Sequence, residues 1–370
     1  MSFDYSLFFY AFGLVIPLGM IIFYPKEITI AELCAHIAAV MLVMFLGYQF
    51  GRYVEIADSY VAHGEITGKE RVHGWYIETY TCNCSTSGKT TVCSTCTREH
   101  YTVDWNAFST IGKIDLDYRD SLSRSVYSVP DPKIYKECNE GDPASKKFGF
   151  SNYVRAVDNS LFADSVNKDE RKKLKTEVTR YPNTYDIYKY DHVVQNTGRS
   201  YEALNETLSM LSRKYGKEGP NPIVYVVKNL DRDFMRQVEK FWKHGKLNDI
   251  VMLVGVDDSD NIVWTDAFSY GKSYRNQDIL ATVRNYLTDV KKLNTVDKQI
   301  EFANAVDGIL TKYEKTTSKD FEYLKNEVQP SPGVQWFLII FGLGLSGGLS
   351  YLFHQNDLED MISRAINRYV

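Results

Sequence analysis

The sharpest chemical signal in the chain is Cys82-Asn-Cys84 followed by Cys93-Ser-Thr-Cys96. The flanking runs HGWYIETYT and TREHYTVDW alternate as strands do, so the cysteines fall near the tip of a hairpin. Zinc favours a tetrahedron of thiolates, and two short cysteine pairs brought together by a turn can supply one. The spacing is imperfect for a zinc ribbon, because the gap between the pairs is short and one pair is C-x-C. His73 and His100 stand nearby as substitute ligands, His100 only if strand register brings it close. The same residues can instead close two cross-strand disulfides in an oxidising compartment. The expectation is one structural zinc on Cys82, Cys84, Cys93 and Cys96, with paired disulfides as the rival. In either form the cluster staples a hairpin and leaves no open position for catalysis.

Other candidates are weaker. Asp257, Asp258 and Asp260 crowd one turn and could bind Ca²⁺, which takes several oxygen ligands. The full spacing and terminal Glu of an EF-hand loop are missing, and a solvated hairpin turn is the competing reading. Gly344-Leu-Ser346-Gly-Gly348 matches G-x-S-x-G in form, but that motif needs a strand-to-helix corner and here lies in an uncharged apolar run. The same run gives Gly344-x-x-x-Gly348, a small-residue seam for helix packing, either in self-association or against the N-terminal hairpin. Glu32 and His36 sit one turn apart near the start of another apolar run. Such a pair can mark a proton path, although near a helix end both can reach the headgroups. Cys34 and Cys138 are isolated. No Walker A, H-E-x-x-H or G-x-G-x-x-G occurs, and no nucleophile–base pairing is recognisable by spacing, so no catalytic residue is named.

The elements that must carry these groups follow from hydropathy. The chain has 370 residues, with 43 Lys+Arg against 47 Asp+Glu and a net charge of -4. That near-balance gives no basic field for nucleic acid. A mean hydropathy of -0.31 conceals strong bunching. Residues 7–24, 28–50 and 334–353 are apolar runs that approach or match a hydrocarbon core of roughly 30 Å. The leader MSFDYS lacks the positive charge of a signal peptide. The expectation is an α+β membrane protein with three transmembrane helices: an N-terminal hairpin over 1–52, turning at Pro25, and a last span over 334–354. Residues 312–333 read as a juxtamembrane helix (KDFEYLKNEV) and a Pro-Gly linker, and 355–370 as an amphipathic tail in the interface. Residues 53–180 are rich in Tyr, Thr and Val and read as β.

Residues 181–311 alternate helix and strand. Ile223-Val-Tyr-Val-Val227 and Asp249-Ile-Val-Met-Leu-Val-Gly-Val256 read as buried strands. Helices are expected near 199–215, 231–243 and 277–290, with a third strand from Ile262, giving an α/β layer on a short mixed sheet. The run FWKHGKLNDIVMLVGVDDSDNIVWTDA resembles the TPM domain family, through Trp242, Gly245, Lys246, Asn248, the apolar strand and the acidic turn. Tyr190 to Val194 (YDHVV) resembles the start of the same domain. The whole chain is also similar to membrane proteins of large tailed bacteriophages, through HYTVDW, NYVRA, NSLF and KDFEYLKNEV. The absence of a catalytic constellation favours a membrane-anchored interaction or regulatory protein, and the bacteriophage resemblance implies a setting at a host inner membrane. Its partners would be the bilayer and a protein or a second copy, with no nucleic acid. A metal-dependent phosphatase-like enzyme and an oligomeric channel are the alternatives. Positive charge near the membrane leans slightly toward a cytoplasmic body.

Overall fold

The computed structural model describes residues 14–19, 22, 29–88, 90–122, 129–157, 168–272 and 274–355. In chain order come α1 (Ile30–Ile56), β1 (Ala57–Ser87), β2 (Thr90–Ser109), β3 (Ile114–Leu122), α2 (Lys133–Glu137), β4 (Pro143–Ser151) and α3 (Tyr153–Ala156). Next are α4 (Lys168–Glu177), β5 (Thr184–Tyr185), β6 (Lys189–Tyr190), β7 (Val193–Gln195), α5 (Glu202–Ser212), β8 (Asn221–Lys228) and α6 (Phe234–Phe241). Then follow β9 (Asp249–Val256), β10 (Ile262–Ser269), α7 (Gln277–Tyr286), α8 (Val296–Leu310), a 3₁₀ segment over Ser318–Glu327 and α9 (Pro332–Gln355). The class is α+β, as expected. The chain divides into two compact units.

The first unit takes Met1–Asp58, Ser151–Ala163 and Phe321–Val370. Its α1 and α9 are long and apolar enough to cross a membrane, with mean hydropathies of 2.1 and 1.7 over their best windows. Only 22% of each window is buried, whereas the core helix of a soluble protein is mostly covered. Of the expected first span, residues 14–19 and 22 are described, and they are helical; the rest, with the turn at Pro25, lies outside the described residues. So does the expected amphipathic tail beyond residue 355. Thr29 opens α1 with a capping box: its hydroxyl accepts from the Glu32 N–H, and the Glu32 carboxylate accepts from the Thr29 N–H. This local role accounts for Glu32 in an apolar helix.

α1 and α9 meet along Val40, Met44, Tyr48 and Leu338. Their close approach rests on Gly47 and Gly342. A Cβ on Gly47 would lie 2.5 Å from Leu338 Cδ2, and one on Gly342 would lie 2.6 Å from Met44 Sδ. Gly344 and Gly348, the expected seam, meet nothing within 4 Å. They therefore do not pack this helix pair. His36 Nε2 lies 2.8 Å from Ser346 Oγ, so the two polar groups inside the apolar helices satisfy each other.

The second unit takes Ser59–Phe150 and Asp164–Asp320, and so holds both the β-rich half and the α/β half. The β-rich half is a four-stranded sheet of order β3-β2-β1-β4. Its core gathers Ile66, Val103, Trp105, Ile114 and Leu116. The α/β half is a mixed sheet of order β10-β9-β8-β7, in which β7, β8 and β9 run parallel and β10 antiparallel. All of β9 and nearly all of β8 are buried, as continuous Val/Ile/Leu runs require when helices cover both faces. α5, α7 and α8 pack one face around Leu204, Val283 and Phe302, while α4 and α6 pack the other around Leu174, Val238 and Trp242. The mixed sheet follows the sequence reading closely.

Candidate functional site

The hairpin of β1 and β2 carries the cysteines. Its register pairs Trp75 with Tyr101, Ile77 with Glu99 and Cys82 with Ser94. Cys96 lies opposite Tyr80, so Cys82 and Cys96 are diagonal, offset by two residues, and form a disulfide; Cys84 and Cys93 form a second nested inside it. The structure thus brings all the predicted ligands together and joins them in the rival form. A disulfide sulfur is no thiolate, so in this state the cluster offers zinc nothing. His100 is instead 2.6 Å from Glu78 and stacks on Tyr76 at 5.0 Å.

The third strand reaches the hairpin only as far as the Tyr101–Leu122 pair. Beyond that point β1 and β2 continue as a two-stranded ribbon among the described residues. At about 3.3 Å per residue, the stretch from Trp75 to Ser87 extends roughly 40 Å. Side chains on one face of a strand repeat every second residue. On β2, Ala107, Trp105 and Val103 are core residues, and the same face continues to Tyr101 and its partner Trp75, then to Ile77. There the apolar stripe overruns the core: Trp75 is 66% exposed and Ile77 52%. The other face is polar and internally paired, with Glu78 on His100 and Arg98 over the Tyr80 ring.

The acidic turn is hydrogen-bonded to the surrounding protein. Asp257 accepts from the Ser259 and Asn261 N–H groups, Asp258 pairs with Lys228 at 2.9 Å, and Asp260 pairs with Arg199. The Asn261 side-chain amide, with these N–H groups, holds the Asp257 carboxyl below its ordinary range, and Lys228 does the same for Asp258. Each carboxylate serves a different set of protein donors. Among the described residues no group of His, Cys, Asp and Glu has the makings of a metal site.

A polar array absent from the sequence reading lies inside the second unit, where β1, β4, β8 and β9 bring His63, Ser145, Asn221 and Asp249 together. Asn221 and Asp249 begin adjacent parallel strands in register. The Asn221 amide donates to Asp249 Oδ1 at 2.8 Å and to the Tyr190 hydroxyl at 3.1 Å. Asp249 also accepts from Tyr181 and from the Lys246 N–H. His63 Nε2 lies 2.8 Å from Asn221 Oδ1, and its Nδ1 lies 2.9 Å from Ser145 Oγ. Burial pushes the Asp249 carboxyl up to about 6 and the His192 imidazole, beside His63, down to about 4. It also drives His63 well below its usual value, helped by His192, so both imidazoles are neutral near pH 7. Tyr181 and Tyr190 are held protonated by burial and by Asp249.

His63, Ser145, Tyr190 and His192 line a cavity of about 440 Å³, a size usual for small-ligand sites. The signals that could have pointed to this array are slight: an Asn and an Asp heading apolar strands that otherwise carry no polar residue at their start. No protein-family model, curated protein or solved structure matches the chain.

Proposed function

We propose that the chain is an integral membrane protein whose body presents the disulfide-stapled hairpin as an arm that binds a protein partner. The observation that carries this reading is the apolar stripe Tyr101–Trp75–Ile77, which continues a core face into solvent on a ribbon whose edges are unpaired among the described residues. Exposed aromatic residues beside unpaired strand edges suit a partner that adds a strand and covers the rings. The two sparsely buried apolar helices support the anchor. The disulfides support a body on the oxidising side of the membrane, against the slight charge bias toward the cytoplasm. A reducing side would leave four thiolates, and there the zinc form of the same tip is the proposal.

The TPM likeness, and with it a setting at a bacteriophage host's inner membrane, rests on the quoted sequence runs alone. The metal-dependent phosphatase alternative would use the Asp257 turn, whose carboxylates are hydrogen-bonded to protein donors. A channel gains no support from two described spans with one internally satisfied polar pair. Since α9 is the one span among the described residues between the body and Val370, a reporter fused there reads the side. A cytoplasm-only reporter should be active, and the chain should stay in the pellet after alkaline carbonate. A photo-crosslinking residue at Trp75 should give a discrete protein adduct in native membranes, and one at exposed Val263 should not. Equal adducts at both positions, or none at Trp75, would remove the arm reading.

A further inference from the structure

We propose that Ser145 is a nucleophile and His63 its general base, and that the cavity they line hydrolyses neutral or cationic carboxylic esters. Hydrogen bonding fixes the proton positions. Asp249 accepts from Asn221 Nδ2, which turns the Asn221 carbonyl toward His63. A carbonyl only accepts, so His63 Nε2 carries the proton and donates it. Neutral His63 then presents a lone pair at Nδ1, and Ser145 Oγ at 2.9 Å donates to it. Nucleophile, base and orienting group therefore stand in hydrogen-bond sequence, with the orienter itself fixed by a buried carboxylate, which is the geometric logic of acyl-transfer sites. The ring nitrogens are used in the opposite sense to a chymotrypsin-like triad, which alters the ring's direction of approach and not the proton balance.

The cavity lining sets the substrate class. Glu137, Asp142 and Glu206 stand against a single Lys189, which disfavours anionic substrates and with them phosphate esters. Tyr185 and Tyr188 add apolar surface with polar tips. In the reaction, Ser145 Oγ bonds to the ester carbonyl carbon while its proton passes to His63 Nδ1. The carbon–oxygen bond to the leaving group breaks, and that oxygen takes the proton from Nδ1 and departs as the alcohol. Water then attacks the acyl carbon, giving a proton to Nδ1; the bond to Oγ breaks, Oγ recovers the proton, and the carboxylic acid leaves. Ester and water become acid and alcohol, with no other reactant.

The test uses the full-length protein in detergent micelles with an uncharged fluorophosphonate, followed by digestion and mass spectrometry. The expected adduct is on Ser145, and its formation slows as acid protonates Nδ1. Hydrolysis of p-nitrophenyl acetate should fall at least ~100-fold in Ser145→Ala and His63→Ala. Asn221→Leu should slow labelling and also move the acid limb to lower pH, because the acceptor that favours the imidazolium is lost; a merely structural role would leave that limb in place. Absence of an adduct on Ser145 in folded wild-type protein overturns the proposal without reliance on any variant. So does labelling with no acid limb.

Discussion

Removing the outer disulfide should melt the arm and spare the body. Cys82 and Cys96 are 14 residues apart in sequence, and Cys84 and Cys93 are 9 apart. Closing a loop of that larger size stabilises a fold by about 3 kcal/mol in the chain-entropy treatment. A two-stranded ribbon is marginal on its own, so here the loss is felt locally. No buried cluster of the β-rich half contains a residue between Trp75 and Arg98. About 3 kcal/mol corresponds to roughly a 100-fold change in an opening equilibrium. The replacement Cys82→Ser/Cys96→Ser should therefore cut amide-exchange protection over 79–98 by about that factor, with β8 and β9 unchanged. Hydrogen exchange read by mass spectrometry on the full chain in detergent resolves both regions. Unchanged protection in the arm would refute the view that the staple supplies its order; equal loss in β8 and β9 would refute its independence from the body. Reduced wild-type protein, assayed with added zinc, tests the other form of the tip: recovery of protection with one bound metal establishes the thiolate site.

Three further outcomes are expected. Gly342→Ala should destabilise the helix pair by about 1–3 kcal/mol, because its Cβ meets Met44 Sδ at 2.6 Å, whereas the Cβ of Gly344→Ala meets nothing within 4 Å; thermal melts of the two variants in micelles should differ in that order. Asp249 has a folded pKa raised to about 6, so its share of stability is present below the unfolded value and is lost as pH rises through 6, while depressed His192 acts oppositely between its ordinary value and about 4. Asp249→Asn removes the first effect and leaves the second. The variant should lose about 1 kcal/mol more than wild type between pH 7 and pH 5, and parallel stability–pH curves would contradict the assignment. Met252→Ala should cost about 2–5 kcal/mol, since that side chain is fully buried between β9 and the helices; a denaturant midpoint within error of wild type would contradict the packing described.

Elements legible in the sequence were those whose burial is continuous. β8 and β9 have no solvent face, so their apolar runs needed no partner to be recognised. The hairpin was legible because two cysteine pairs flank a turn. Their chemical state was not, since thiolate and disulfide require the same proximity and differ only in redox environment. Gly344 and Gly348 carry the familiar seam spacing, but the contact between α1 and α9 runs instead past Gly47 and Gly342, where Leu338 and Met44 come close. The buried array was beyond reach of spacing. His63 and Ser145 are 82 residues apart and His63 and Asn221 are 158 apart, on strands whose adjacency only the sheet order reveals. Asn248, singled out within the Gly-Lys-x-Asn corner, is structural, since its amide ties the backbone carbonyls of Val61 and Gly219.

The hydrogen bond between His36 and Ser346 joins residues 310 apart in the chain. Ribosomes add about 5–20 residues each second, so the imidazole of a newly inserted α1 waits some tens of seconds for its hydroxyl. Throughout that interval the face of Val40, Met44 and Tyr48 also lacks Leu338, while the entire second unit is being synthesised and folded. The helix pair thus forms only after the second unit has been synthesised. A ribosome stalled within the body leaves the His36 imidazole of an apolar helix without its Ser346 partner.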